Sequence, residues 1–288
     1  MKRVLIVGTG LIGASVGLAL KANGFAGSVV GWDQDAVESE TALQRGAIDE
    51  RLSSREEVLG TDADVIVLAT PVLPILDWMQ KLSAALGEGK LVTDVGSTKR
   101  EISLMGARLF NQPGCARFLA GHPMAGKELG GAALAEADLF RGATWLFCPA
   151  TNGGEGALEA EWRSWVVRFG AVVRELDPER HDEVCAWVSH LPQMMSTALA
   201  ALLEDTFAGD PDGMAAVRAI GGRALRETTR LGASPYSMWR DVAMTNTAAI
   251  AATLSALEQR LAHVRENLRT PELRDEFATA NRFRTNRD

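Results

Sequence analysis

Two short segments of the chain carry side chains that could handle a proton, each beside glycines that keep the backbone open: Asp94-Val95-Gly96-Ser97-Thr98-Lys99 and Gly121-His122-Pro123-Met124-Ala125-Gly126. A neutral imidazole, with a reference pKa of about 6.5, is suited to accept a proton near neutral pH. His122 follows the apolar run Phe118-Leu119-Ala120, which places it on a loop just beyond a strand, where site residues are commonly carried. A lone histidine beside a strand is more often structural, so the case for chemistry rests on what lies upstream. Ser97 has two readings. The spacing Thr98-x-x-Glu101 makes Thr98 the better cap of the next helix and leaves Ser97 to face a cleft; alternatively Ser97 is itself the cap.

Downstream, Ser189-His190-Leu191-Pro192 puts a proline inside a helix, where the lost backbone bond bends the axis and re-aims neighbouring side chains. His181 and His190 lie on opposite faces at about 100° per residue, so one at most can face the cleft. We take His190, and assign His181, in the charged run Glu179-Arg180-His181-Asp182-Glu183, to a solvated face, as with His263. Arg223, Arg226 and Arg230 share a helical face, which could bind a carboxylate-rich molecule. Glu227 stands at i+4 from Arg223, so solvated pairing is the plainer reading and at most one arginine is functional.

Those groups need a frame, and the N-terminal half supplies a recognisable one. Arg3-Val4-Leu5-Ile6-Val7 is an apolar run fit for a buried parallel strand, and it leads into Gly8-Thr9-Gly10-Leu11-Ile12-Gly13. The first glycine permits a tight turn, the second lets a pyrophosphate approach, and the third lets the helix pack on the strand. The helix N-terminus would stabilise the phosphates. A second strand, Ser28 to Trp32, ends at Asp33, whose carboxylate would bond the ribose hydroxyls and repel a 2′-phosphate, so the expected cofactor is NAD. Further strands are expected at 47–50, 65–69, 90–94, 117–120, 142–148 and 171–176. Thr70 and Pro71 follow the fourth strand and join Gly8, Gly10, Leu11, Ile12, Gly13 and Asp33 as cofactor-binding candidates. Thr151-Asn152-Gly153-Gly154 reads as a turn.

Beyond Asp177-Pro178 the apolar residues recur at helical spacing through about Leu203, from Met214 to Leu225, and from Trp239 to Leu268, the last opening a long helix. The expected fold is therefore an α/β Rossmann-like domain with a mostly parallel sheet over residues 1–177, followed by an all-α domain over 178–288. The helices carry more apolar surface than one small bundle needs, which points to a homodimer through them. At 288 residues, 47% hydrophobic and 23% charged, the chain reads as a folded two-domain protein. A strand within three residues of the start leaves no room for a leader, and no apolar run reaches the roughly 18 residues that span a membrane, so a cytoplasmic location is expected. The net charge of -7 argues against nucleic acid. Cys115, Cys148 and Cys185 lack disulfide-framework or metal-ligand spacing, so no metal is expected.

Taken together, the glycine turn, Asp94-Val95-Gly96-Ser97-Thr98-Lys99, the His122 segment, Ser189-His190-Leu191-Pro192 and Met238-Trp239-Arg240-Asp241 resemble the prephenate dehydrogenase family over nearly the whole chain. The resemblance implies NAD- or NADP-dependent oxidative decarboxylation of prephenate or arogenate on the route to tyrosine. It also implies that His122 is the catalytic histidine and Ser97 its partner, with His190 and Arg230 on the substrate. Some members carry a fused chorismate mutase or a regulatory domain; from the length of 288 residues neither is expected here. Prephenate is the expected substrate, with arogenate possible. Glu128 is the candidate anion for the arogenate ammonium, complicated by its neighbour Lys127. The rival readings are a β-hydroxyacid dehydrogenase or imine reductase with the same plan, and a dinucleotide-sensing protein without turnover.

Overall fold

Arg3–Val7 forms β1 and Val65–Leu68 forms β4, and their apolar runs are almost entirely buried because both faces of the sheet are covered. In the computed structural model, which describes residues 1–127, 129–149 and 154–285, these two strands pair in parallel at the centre of an eight-stranded sheet. β2 (Ser28–Trp32) and β3 (Glu50–Arg51) continue it on one side, and β5 (Leu91–Asp94), β6 (Arg117–Pro123), β7 (Thr144–Cys148) and β8 (Val172–Glu175) on the other. The order is β3-β2-β1-β4-β5-β6-β7-β8, parallel except between β6 and β7. Helices α1 (Leu11–Ala22), α2 (Ala36–Gln44), α3 (Arg55–Leu59), α4 (Val72–Ala85), α5 (Arg100–Leu109) and α6 (Ala157–Arg168) belong to this half. Two apolar clusters, one containing Val4 and Ile6 and the other Leu5 and Val7, reflect the two-residue alternation of β1 between faces.

The remainder is helical: α7 (Pro178–Cys185), α8 (Leu191–Phe207), α9 (Pro211–Ile220), α10 (Gly222–Thr229), α11 (Tyr236–Thr245), α12 (Thr247–Glu266) and α13 (Glu272–Thr285). Asp177 caps α7, accepting from the Glu179 and Arg180 amides, with Pro178 at the first turn where its missing N–H costs nothing. No helix among the described residues is long and apolar enough to cross a membrane.

Several local expectations are corrected. β6 runs on to Pro123 because Ala120 to Pro123 pair with β7, so His122 sits on a strand rather than a loop. The third strand shortens to Glu50–Arg51. The long helix after Trp239 is broken at Asn246, whose backbone leaves helical geometry and whose side-chain amide donates to the Asp182 carbonyl. The turn expected at Thr151-Asn152-Gly153-Gly154 lies outside the described residues except for Gly154. Between α7 and α8 the chain stays helical through a π segment, Ala186–His190, which ends two residues before Pro192. A π turn uses i→i+5 bonds and is wider, a way to absorb the amide that Pro192 lacks. It also subtracts rotation between His181 and His190, and both turn inward: each is almost fully buried.

The two halves meet through partly buried polar bonds. Asp241 of α11 is fully buried and accepts from the Leu73 amide at 3.1 Å, so the helical half caps the start of α4. Thr98 and Thr245 share a hydroxyl bond of 2.8 Å.

Candidate active site

The turn after β1 has the geometry a dinucleotide requires. Gly8 has φ +94°, and a Cβ there would lie 2.6 Å from the Ala69 backbone; a Cβ on Gly13 would strike the Gly8 carbonyl oxygen. At Gly10 a Cβ would meet nothing within 4 Å, so the backbone borders open space. Gly10 caps α1 with no side-chain bond, leaving the first amides of a twelve-residue helix uncovered for an anion. The adjoining cleft, about 540 Å³, is lined by Gly8, Gly10, Asp33, Arg55, Thr70 and Pro71 among others. Asp33 is held by the Thr9 amide on Oδ2 at 2.7 Å and the Asp35 amide on Oδ1 at 2.9 Å. Arg55 stacks over Trp32 and Trp78, 5.8 Å from each ring centre, and Arg240 reaches the same cleft from α11. These residues fit a dinucleotide.

A second cavity, about 350 Å³, continues from Thr70 and Pro71 past the ends of β5 and β6. Leu11, Ile12, Ser97, His122 and Lys127 line it, with Pro235 and Met238 closing it from the helical half. Ser97 and His122 are brought to it by one buried ion pair. Asp94, the last residue of β5, accepts from the Gly96 amide at 2.8 Å and the Gly121 amide at 3.0 Å, and pairs with the Lys99 ammonium; both side chains are fully buried. The pair thereby ties the Ser97 segment to β6. Neither Ser97 nor Thr98 caps α5. Asp182 of α7 takes that place, accepting from the Lys99 amide at 2.7 Å and the Arg100 amide at 2.9 Å.

Asp182 also settles the protons of the imidazoles. His181 Nδ1 lies 2.8 Å from Asp182 Oδ1, and His181 Nε2 lies 2.8 Å from His122 Nδ1. A carboxylate can only accept, so His181 donates from Nδ1 and keeps its lone pair on Nε2. His122 must then donate from Nδ1, and its Nε2 carries a lone pair. With His122 lining the cavity, this is a neutral imidazole whose tautomer is fixed from behind and which is chemically able to accept a proton.

Burial, followed by the neighbouring His181, Lys99 and His190, holds His122 well below the ordinary imidazole pKa. Burial also lowers His181, against the opposing bond to Asp182, and brings His190 down to about 4. Each is buried neutral and must gain a proton once unfolded at acid pH. The unfolded chain therefore binds more protons below about pH 6.5, and stability from these groups, complete above that value, is lost as pH falls toward the folded values. Expected is a fall in Tm from pH 6.5 toward 4 that is shallower in His190→Asn. Parallel curves for the two proteins would refute the contribution of His190.

Other expected site residues are placed elsewhere. His190 does not line the cavity; it packs edge-on to Trp239, and its Nδ1 stands 3.2 Å from the Asn246 amide nitrogen. Arg230 begins a 3-10 turn, Arg230–Ala233, is exposed, and is not among the residues lining either cavity. Arg223 pairs with Glu227 at 2.5 Å in solvent. Glu128 lies outside the described residues; Lys127 pairs with Glu136 at 2.6 Å. The solvated face expected for His181 is overturned, since it is fully buried behind His122. The local signal was the i, i+4 step from His181 to Cys185 with Ala186 beside it, an inward face inside a charged run. His181, Asp182, Asp94 and Lys99 are the buried neighbours of Ser97 and His122 that sequence reasoning missed.

Comparison with known proteins agrees with this geometry. Residues 16–174 match the family model "Prephenate dehydrogenase, nucleotide-binding domain", and residues 177–281 match "Prephenate dehydrogenase, dimerization domain". A prephenate dehydrogenase of Lactococcus lactis subsp. cremoris is 31% identical over 85% of this chain, which spans 65% of that relative's length. The crystal structure of prephenate dehydrogenase from A. aeolicus in complex with hydroxyphenyl propionate and NAD+ superposes with TM-score 0.88 and 30% identity, covering 100% of this chain and 99% of that one. That of a Synechocystis arogenate dehydrogenase gives 0.77 and 29%, covering 98% and 99%.

Proposed function

Because the chain belongs to the prephenate dehydrogenase family, we propose that it catalyses the NAD-dependent oxidative decarboxylation of prephenate. The observation that carries this reading is His122, bonded through Nδ1 to His181 and lining a cavity that shares Thr70 and Pro71 with the dinucleotide cleft. Held in the cleft that Gly10, Asp33, Thr70 and Pro71 line, NAD would supply the hydride acceptor for the carbinol carbon. The chain's own work is then to accept the proton of the ring hydroxyl on His122, to orient that hydroxyl with Ser97, and to keep water out with Pro235 and Met238. Loss of carbon dioxide leaves an aromatic ring and makes the reaction run downhill. Among the described residues lining this cavity, Lys127 is the cationic side chain, and a substrate carboxylate would have to compete for it with Glu136, 2.6 Å away. The test is release of labelled carbon dioxide from ring-carboxyl-labelled prephenate in step with NADH formation. A hydroxyacid or imine reaction retains the carboxylate, and a sensing protein binds NAD without either product.

Prephenate and arogenate differ by one charge at the side chain, so the kcat/KM ratio for the two in Glu128→Gln against the parent decides whether Glu128 selects between them. The dimerisation-domain match supports a homodimer, as does an apolar groove among Met195, Leu199, Leu202, Leu257 and Leu261, three of which are well exposed on one chain.

Asp33 lies in the dinucleotide cleft, held by backbone amides, where a 2′-phosphate would face a fixed carboxylate. NAD should be used at least tenfold better than NADP by kcat/KM, and Asp33→Asn should narrow that margin, one charge repulsion of about 1.4 kcal/mol being enough. Equal use of both cofactors by the parent would refute this role.

A further inference from the structure

His122, His181 and Cys185 bring two imidazole nitrogens and a thiol sulfur within 4.8 Å of one another, although no spacing in the sequence suggests a metal site. The separations are close to those a tetrahedral ion imposes. With zinc about 2.0–2.1 Å from nitrogen and about 2.3 Å from sulfur, a nitrogen and a sulfur ligand stand about 3.6 Å apart and two nitrogens about 3.3 Å apart. Cys185 Sγ is 3.6 Å from His181 Nε2, and His122 Nδ1 is 2.8 Å from the same nitrogen. The imidazoles must separate by about 0.5 Å on these bond lengths, and the Cys185 sulfur and the His122 nitrogen lie within 4.8 Å of each other. Behind them, Asp182 accepts the other ring N–H of His181, the carboxylate–histidine arrangement that fixes the tautomer and basicity of a metal-bound imidazole. Charge also suits a divalent ion: the Lys99 ammonium is cancelled by Asp94, so a thiolate and the Asp182 carboxylate would offset the ion.

We propose that His122, His181 and Cys185 form an inhibitory site for a thiophilic divalent cation, zinc above all, entered from the cavity that His122 lines. Binding forms bonds from the metal to His122 Nδ1, His181 Nε2 and Cys185 Sγ and breaks the bond between the two imidazoles. The thiol proton leaves to solvent, and the proton of His122 moves from Nδ1 to Nε2. With Nε2 protonated, His122 can no longer accept a proton from substrate. This inhibition rests on the proposed role of His122 as proton acceptor; occupancy of the site does not.

The whole protein is titrated with Co²⁺ alone and the spectrum recorded. Expected are a thiolate-to-cobalt charge-transfer band in the near ultraviolet and visible absorption of a four-coordinate ion, with a water from the cavity as the fourth ligand beside the three side chains, both abolished by Zn²⁺ and both absent in Cys185→Ala. Cys115 and Cys148 remain in that variant and control for thiols elsewhere. Zn²⁺ should stop NADH formation reversibly on chelation, with at least tenfold lower sensitivity in Cys185→Ala. No charge-transfer band, or the same band in Cys185→Ala, overturns the site. A band that disappears in Cys185→Ala together with undiminished turnover upholds the site and overturns His122 as the proton acceptor.

Discussion

His122→Asn should fold and bind NAD with near-parent affinity yet lose between about 10² and 10⁴ in turnover, the range a positioned general base contributes. Asparagine is chosen because its amide can still donate to His181 Nε2, so the bond behind the ring has a replacement while the lone pair at the cavity is removed. The parent's pH profile gives an independent readout. Burial holds the His122 pKa well below the ordinary value, so the base stays neutral, and kcat/KM stays level, as pH falls to 6.5. Activity should drop only at lower pH, and in His122→Asn that acid limb should vanish from what activity remains. Turnover within tenfold of the parent, or an acid limb with an unmoved midpoint in the variant, would remove His122 from the mechanism.

The largest expected effect on stability belongs to Lys99→Met. Lys99 is fully buried and its ammonium pairs with Asp94, whose carboxylate also holds the Gly96 and Gly121 amides. Removing the cation strands a buried carboxylate, a loss of about 3–5 kcal/mol when one partner of such a pair is taken away. For a protein of this size that is a fall in Tm on the order of 10 °C. Because the same carboxylate ties Ser97 to β6, kcat should fall as well. Replacing both partners, Asp94→Asn with Lys99→Met, should recover most of the stability, since a buried pair exchanged for uncharged groups is often close to neutral. Urea or thermal unfolding of the three proteins checks this. A single variant within about 1 kcal/mol of the parent would show the pair contributes little.

What the sequence determined by itself was whatever local pattern encodes. The buried apolar run of β1, the three glycines and the acid after β2 specify a dinucleotide turn because each acts within a few residues of its own position: φ +94° at Gly8, open space at Gly10, close packing at Gly13, an amide-bound carboxylate at Asp33. Ser97 and His122 were legible for the same reason, as polar residues just past or near the ends of apolar strands whose order in the sheet follows from their order in the chain. The partners of those two residues were decided only by the tertiary structure. His181 meets His122 from 59 positions away, and Asp182 reaches the amides of Lys99 and Arg100 across 83 and 82 positions. Local pattern made the run 179–183 a solvated face, because charged residues are seldom fully buried without partners. Here the partners exist, but on another element, and a buried polar group is satisfied by whatever the packed fold sets against it. The π turn before Pro192 shows the same limit. A helical wheel assumes one rotation per residue, and a single wider turn brought both His181 and His190 inward, one to support His122 and the other to pack on Trp239 away from the cavity.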